Sequence, residues 1–341
     1  MKINTYLMKS NKNNIFIPLC LAAFALVAIL AACDRNEAEA EQRTDGPETA
    51  YLELDQIGVE GNVLSRAIDV PTDGTIGFYR DAVNGYSAVT NVTGTWKKST
   101  VTGRYAWIPT SEMIKVGTDD ATMAIYYPHV VDNKDNRDFI KLYVGQLGKP
   151  SPVDSKFIVQ ETWSKRFNYN SLSSYTTAFN VGELKHVYSK LKIILERKTG
   201  DNGFVGSPEW TKVTLLGGGI KKDSQFYLFR FEEPALNSYD LGHVPGKLEI
   251  PLNPKNEFSG DSSEVELLLI PGNISGDITI TITLGGKDMD VKIPNADFKD
   301  SQFAPGKQYN LKITVNPTDL EVASLKTTDW ISVNLTGQST H

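Results

Sequence analysis

Cysteine is nearly absent from this 341-residue chain, which has two, Cys20 and Cys33. Cys20 sits inside an apolar leader that export would remove, so Cys33 is left alone. One cysteine can form neither an internal disulfide nor a thiolate metal site. Histidine is equally sparse: His129, His186, His243 and His341 lie far apart with no ligand spacing. They read as surface or structural residues, and no metal or cofactor is expected. Long basic runs are missing as well. The formal net charge of −6 becomes −9 once Lys2, Lys9 and Lys12 leave with the leader, which argues against a nucleic-acid partner. Helical periodicity never persists beyond about two turns.

Catalytic motifs are missing too. In Gly272-Asn273-Ile274-Ser275-Gly276 the serine stands one place late for a nucleophile elbow. Gly217-Gly218-Gly219 runs into Ile220-Lys221-Lys222 without the Lys-Ser/Thr pair of a phosphate loop. The oxygen-rich stretch from Asp132 to Asp138 is interrupted by Lys134 and Arg137 and lacks the central Gly and final Glu of a calcium loop. Glu232 and Glu233 are adjacent, and neighbours on a strand point to opposite faces. No catalytic residue is assigned, and a non-enzymatic protein is expected.

What is present begins with an export signal. Three lysines precede an uncharged apolar run over residues 15–32, which ends in Leu30-Ala31-Ala32-Cys33. The run is about the minimum length for a membrane span. Small residues directly before a cysteine, with acidic sequence directly behind, instead fit a lipobox and cleavage by a signal peptidase. Residues 1–32 are therefore expected to be a lipoprotein signal peptide, with Cys33 carrying lipid. Residues 33–50 are acidic, Ala-rich and poor in large apolar side chains, the composition of a disordered tether.

The body beyond the tether alternates with period two, the mark of half-buried strands. Ile278, Ile280, Ile282 and Leu284 alternate with polar residues, and so do Tyr309, Leu311, Ile313 and Val315. Gly285-Gly286, between the first of these runs and Met289, Val291 and Ile293, predicts a tight hairpin. Further strands are expected around Ile76 to Tyr79, Tyr105 to Ile108, Met123 to Tyr127, Phe139 to Val144, Phe226 to Phe231, Leu248 to Leu252 and Val265 to Ile270. In the first segment Leu52 and Leu54 share one phase and Ile57, Val59 and Val63 the other. A phase change near Asp55-Gln56 suits a bulge or two short strands. About 290 residues of such sequence predict an all-β protein of two domains, at 51–170 and 171–341. The Ser/Asn/Thr/Tyr-rich stretch 163–182 is the expected connection. Tyr105, Trp107, Tyr126 and Tyr127 could stack on sugars if exposed, although core packing is the commoner fate.

The order of several short motifs carries a family resemblance. Ser65-Arg66-Ala67 is followed by Thr75-Ile76-Gly77-Phe78-Tyr79, Ala124-Ile125-Tyr126-Tyr127-Pro128 and Leu184-Lys185-His186-Val187. Phe303-Ala304-Pro305-Gly306-Lys307-Gln308-Tyr309 and Thr328-Asp329-Trp330 close the series. Together with the lipobox this resembles the fimbrillins, the type V pilus subunits of Bacteroides-type bacteria. The resemblance implies two transthyretin-like β-sandwich domains in tandem, exported as a lipoprotein to the outer membrane and cell surface. It implies that an arginine-specific protease cuts behind the first strand, at Arg66-Ala67 by motif position. A strand of a neighbouring fimbrial subunit then fills the groove left behind. The donor would be Leu320 to Leu325 or Trp330 to Leu335, the latter presenting Ile331, Val333 and Leu335 on one face. The implied function is a structural stalk or tip subunit contributing to adhesion. The alternative is a surface lipoprotein that anchors a pilus or binds glycans without polymerising.

Overall fold

Alternating apolar and polar residues become strands nearly throughout the computed structural model. It describes residues 50–60, 68–110, 112–133, 138–174, 178–200, 203–207, 209–230, 233–240 and 247–330. Among the described residues the α-helix is a single turn, Ser171–Ser174, and no helix is long and apolar enough to cross a membrane. The all-β expectation holds. Cys33, Arg66, Ala67, Ile331, Val333 and Leu335 lie outside the described residues.

The first half of the body forms an eight-stranded sheet. Its order is Ile68–Asp69, Gly58–Val59, Glu183–His186, Trp163–Tyr169, Ala121–Tyr127, Thr75–Arg80, Val89–Lys98 and Tyr105–Pro109. Leu54, Phe78, Trp107, Met123, Ile125 and Trp163 belong to one apolar core on this sheet. The C-terminal half builds a five-stranded and a four-stranded sheet. In the five-stranded sheet Ser189–Arg197 lies between Ser262–Leu269 (antiparallel) and Lys307–Val315 (parallel), and Leu320–Asp329 forms the outer edge. In the four-stranded sheet Glu209–Gly218 is flanked by Leu248–Glu257 and Ser275–Leu284, with Lys287–Ile293 beyond. Leu191 and Ile193 of the five-stranded sheet share a second core with Val213, Ile250 and Ile280 of the other. The alternation seen in the sequence is thus the inward face of two packed sheets.

A third cluster joins the two halves. Tyr79, Tyr126, Tyr188, Tyr239, Leu268 and Trp330 are among its buried members. The chain also crosses between halves. Phe139–Tyr143 pairs with Asp223–Tyr227, and Gly145–Gln146 adds to the edge of Ser262–Leu269. Only then does the chain return to the first sheet as Trp163–Tyr169.

That return corrects one expectation. The stretch 163–182 reads in sequence as a connection between domains, yet Trp163–Tyr169 is an interior strand paired along its whole length with Ala121–Tyr127. Lys165 interrupts a face otherwise made of Trp163, Phe167 and Tyr169, which hides the period. The strand expected at Phe226 to Phe231 lies earlier, at Asp223–Tyr227. Two long strands, Val89–Lys98 and Glu209–Gly218, add to those expected. The hairpin is present: Gly285 and Gly286 take φ of 56° and 79° between Ser275–Leu284 and Lys287–Ile293, as a two-residue turn requires.

Two glycines let aromatic rings lie flat on the first sheet. A Cβ on Gly77 would stand 2.0 Å from Tyr126 Cε1, and one on Gly94 would stand 2.1 Å from Phe78 Cε2. Both rings are buried, so neither can swing away freely. Gly94→Val should therefore destabilise the protein by roughly 1–3 kcal/mol, the usual cost of overpacking. Chemical denaturation of the two proteins side by side measures it, and an unchanged midpoint would show that the Phe78 ring has room to move.

Candidate functional site: the groove around residues 50–60

The segment over residues 50–60 lies between the edge strand Tyr105–Pro109 and the strand Glu183–His186, and its Gly58–Val59 part belongs to the eight-stranded sheet. On one side Leu54 pairs with Trp107 of the edge strand Tyr105–Pro109, and Ala50–Tyr51 pairs with Lys115–Val116. On the other side Leu54 bridges to Phe179, and Gly58–Val59 runs parallel to Glu183–His186. The backbone bonds are divided between the two sides. Leu52 N donates to Ile114 O at 2.9 Å, Leu54 N to Trp107 O at 3.0 Å, and Trp107 N back to Leu54 O at 2.8 Å. Asp55 N donates to Phe179 O at 2.9 Å, Phe179 N to Glu53 O at 2.9 Å, and Glu60 N to Leu184 O at 2.8 Å.

The side chains explain why the segment sits there. Leu52, Leu54, Ile57 and Val59 are all buried in the first core. The phase change expected near Asp55-Gln56 is what brings both pairs inward, since Asp55 is exposed and Gln56 half-buried. At roughly 1.5–3 kcal/mol for each large apolar side chain, these four contribute on the order of 6–12 kcal/mol before the entropic cost of ordering the segment. Gly58–Val59 then pairs antiparallel with Ile68–Asp69. Arg66 and Ala67 fall in the stretch that joins these two strands, outside the described residues.

A second element sits beside the groove. His186 ends the strand that borders Gly58–Val59 and stacks on Trp330 with ring centroids 4.0 Å apart at 13°. The Trp163 indole N–H donates to His186 Nε2 at 3.2 Å, so that nitrogen must be unprotonated. Burial drives the His186 pKa down to about 3. The charge on Lys190 pushes the same way, a hydrogen bond to the Glu60 backbone opposes it, and Lys185 adds to the lowering. Lys190 lies 4.8 Å above the Trp330 ring and pairs with Glu266 at 3.5 Å and Glu161 at 3.9 Å. Trp330 N donates to Gly306 O at 2.8 Å. The last described residue therefore packs against the strand that holds the first segment.

Of the aromatic residues weighed as a sugar platform, Trp107, Tyr126 and Tyr127 are buried, whereas Tyr105 is 59% exposed. Tyr105 stacks on Trp96, centroids 6.3 Å apart at 23°. His186 proves structural. Among the described residues no group of His, Cys, Asp and Glu is placed to hold a metal ion.

Comparison with known proteins agrees with this architecture. The sequence pattern of the fimbrillin-like proteins matches residues 87–330, more than half of the chain. The chain belongs to the fimbrillin-like family. No curated protein matches this fimbrillin-like chain. Among solved structures, a candidate cell adhesion protein of Bacteroides ovatus aligns over 84% of this chain and 100% of its own, at 14% identity and a TM-score of 0.54. One from Bacteroides uniformis aligns over 82% and 99%, at 15% identity and a TM-score of 0.53. The tip fimbrial protein Mfa3 of Porphyromonas gingivalis, truncated at its C-terminus, aligns over 83% and 100%, at 11% identity and a TM-score of 0.42. The first two share the fold of this fimbrillin-like protein.

The buried histidine sets a pH dependence. Its folded-state pKa lies below the unfolded value of about 6.5, so the unfolded chain takes up the proton first. The stability that neutral His186 contributes is complete above about pH 6.5, declines as pH falls, and is lost below about pH 3. His186→Gln keeps an acceptor for Trp163 and removes the titration. Between about pH 7 and pH 5.5 the native protein should lose about 1 kcal/mol more than this variant. Equal losses in urea denaturation at the two pH values would mean that His186 is not held neutral.

Proposed function

We propose that this fimbrial-type subunit is exported as a lipoprotein through Cys33 and assembles at the outer-membrane surface by exchanging the strand over residues 50–60. Residues 1–32 are the signal peptide and 33–50 the tether. Two transthyretin-like units, 51–170 and 171–341, make the body. An arginine-specific protease cuts between Arg66 and Ala67, and residues 33–66 leave with the lipid. A strand from a neighbouring subunit, carrying Ile331, Val333 and Leu335, replaces the lost one. The subunit serves as stalk or tip and contributes to adhesion.

One observation carries this reading: residues 50–60 bond on one side to Trp107 and Ile114 and on the other to Phe179 and Leu184. Removing such a strand leaves two open edges over an apolar cleft, a template for strand addition. The burial that holds the segment also constrains the order of events. An empty groove would expose the whole apolar face at once, so the incoming strand enters as the resident one leaves. Of the two donor segments considered, Leu320 to Leu325 is already part of the strand Leu320–Asp329, paired in its own sheet. In this reading the donor is the segment behind Trp330.

Arg66→Ala should hold the protein as a lipid-bearing monomer. Gel electrophoresis and N-terminal sequencing of surface material decide the matter: the native chain should begin at Ala67 and form polymer, and the variant should not. Filaments of uncut Arg66→Ala protein would end the exchange reading. The exposed Tyr105 on Trp96 favours a second reading, a surface lipoprotein that binds glycans without polymerising. It requires native surface material with an acylated Cys33 and an intact segment 50–60.

A further inference from the structure

The polar side of the resident strand is held as closely as its apolar side. Glu53, between Leu52 and Leu54, is only 5% exposed. Its carboxylate meets hydroxyls: Ser99 Oγ donates to Oε1 at 2.6 Å and Thr102 Oγ1 to Oε2 at 3.3 Å. Both hydroxyls belong to the turn that links Val89–Lys98 to Tyr105–Pro109, and that turn fixes them before any strand arrives. Val101 N and Thr102 N donate to Ser99 Oγ at 3.0 Å, Gly103 N to Ser99 O at 3.1 Å, and Ser99 N to Arg104 O at 2.7 Å. Beside it, Tyr169 Oη takes the Glu53 N–H at 3.3 Å and donates to Tyr51 O at 3.0 Å.

A one-residue slip would set a leucine against the two hydroxyls and turn Glu53 into the core. The buried Ser99 hydroxyl, the half-buried Thr102 hydroxyl and the carboxylate would then lose their partners, which is costly. We propose that Ser99 and Thr102 are the register pin of this groove, and that Asn334 of a second copy's C-terminal segment takes the place of Glu53. The inference rests on the exchange reading above and names which side chain sets its register.

In Ile331-Ser332-Val333-Asn334-Leu335 apolar and polar residues alternate, as the places of residues 50–54 require. With Asn334 at position 53, Ile331, Val333 and Leu335 fall on Ala50, Leu52 and Leu54, all packed against the first core. Ser332 then replaces Tyr51, whose strand partner is Lys115. The Asn334 side-chain oxygen accepts from Ser99, and its NH₂ donates to Thr102 Oγ1, which as a hydroxyl can also accept. A register with Ser332 at position 53 is poorer, because Leu335 then falls on the half-buried Gln56 position. Leu320-Glu321-Val322 repeats the apolar-Glu-apolar pattern, but it is bonded from Val315↔Leu320 to Lys307↔Asp329 in its own sheet.

Cysteine trapping in surface material from cells making the full chain tests the register. Ser332→Cys with Lys115→Cys should give an intermolecular disulfide under mild oxidation, and Ile331→Cys with Lys115→Cys should not. Adding Asn334→Leu should lower the first cross-link about tenfold, as expected when the buried Ser99 hydroxyl loses its partner. Asn334→Glu should preserve it, and Glu321→Leu should leave it unchanged. Polymer that forms with the cross-link indifferent to Asn334→Leu, or sensitive to Glu321→Leu instead, overturns the pin while leaving exchange intact. Native chains that give no polymer, together with no cross-link from the Ser332→Cys, Lys115→Cys protein, overturn the exchange reading itself.

Discussion

A short N-terminal segment completes the first sheet, and the rest of that half is arranged around its presence. Trp107 and Ile114 on one margin and Phe179 and Leu184 on the other commit backbone groups to it. Without it the apolar face beneath would have no cover. In most β-proteins a margin is blunted or hidden so that it cannot recruit a stranger. Here both margins are kept bondable and are occupied from within the chain.

The two halves are joined where that segment ends. Glu60 bonds to Leu184, His186 follows two residues later on the same strand, and Trp330 stacks on His186. Lys190 reaches Glu161 from one half and Glu266 from the other. A buried ammonium between two carboxylates and an indole face holds position more than it adds net stability, because desolvation offsets most of the Coulombic gain. By contact the described residues fall within one compact unit, Pro47–His341. The crossing of residues 139–146 into the C-terminal sheets is one physical reason.

Much of the fold is legible in local pattern, and the failures have specific causes. Regular alternation marks the C-terminal strands and their Gly285-Gly286 turn, because each strand faces a core on one side only. Val89–Lys98 shows no such mark because Val89, Asn91, Val92 and Gly94 are all buried, so no period survives. Trp163–Tyr169 is obscured by Lys165. The pairing of Gly145–Gln146 with a strand more than a hundred residues away has no local signature. The groove is legible in part: the phase change at Asp55-Gln56 is visible in sequence, and all four apolar residues around it are buried. Glu53 is not, since an acidic residue between two leucines reads as facing solvent. Only the hydroxyls of Ser99 and Thr102, distant in sequence, reveal otherwise. Cys33, Arg66 and Ala67 are legible as motifs, and the described residues do not include them.

The anchoring of Trp330 has a mechanical side. A chain that leaves the body at this residue would transmit any pull on it into the strand Leu320–Asp329, which lies antiparallel along Lys307–Val315. Tension along that strand's axis loads its ladder in shear, so the bonds share the force instead of opening one after another. The indole wedged between His186 and Lys190 acts as a stop at the loaded end. Under a pull applied at Trp330 such a body would yield late and as a whole.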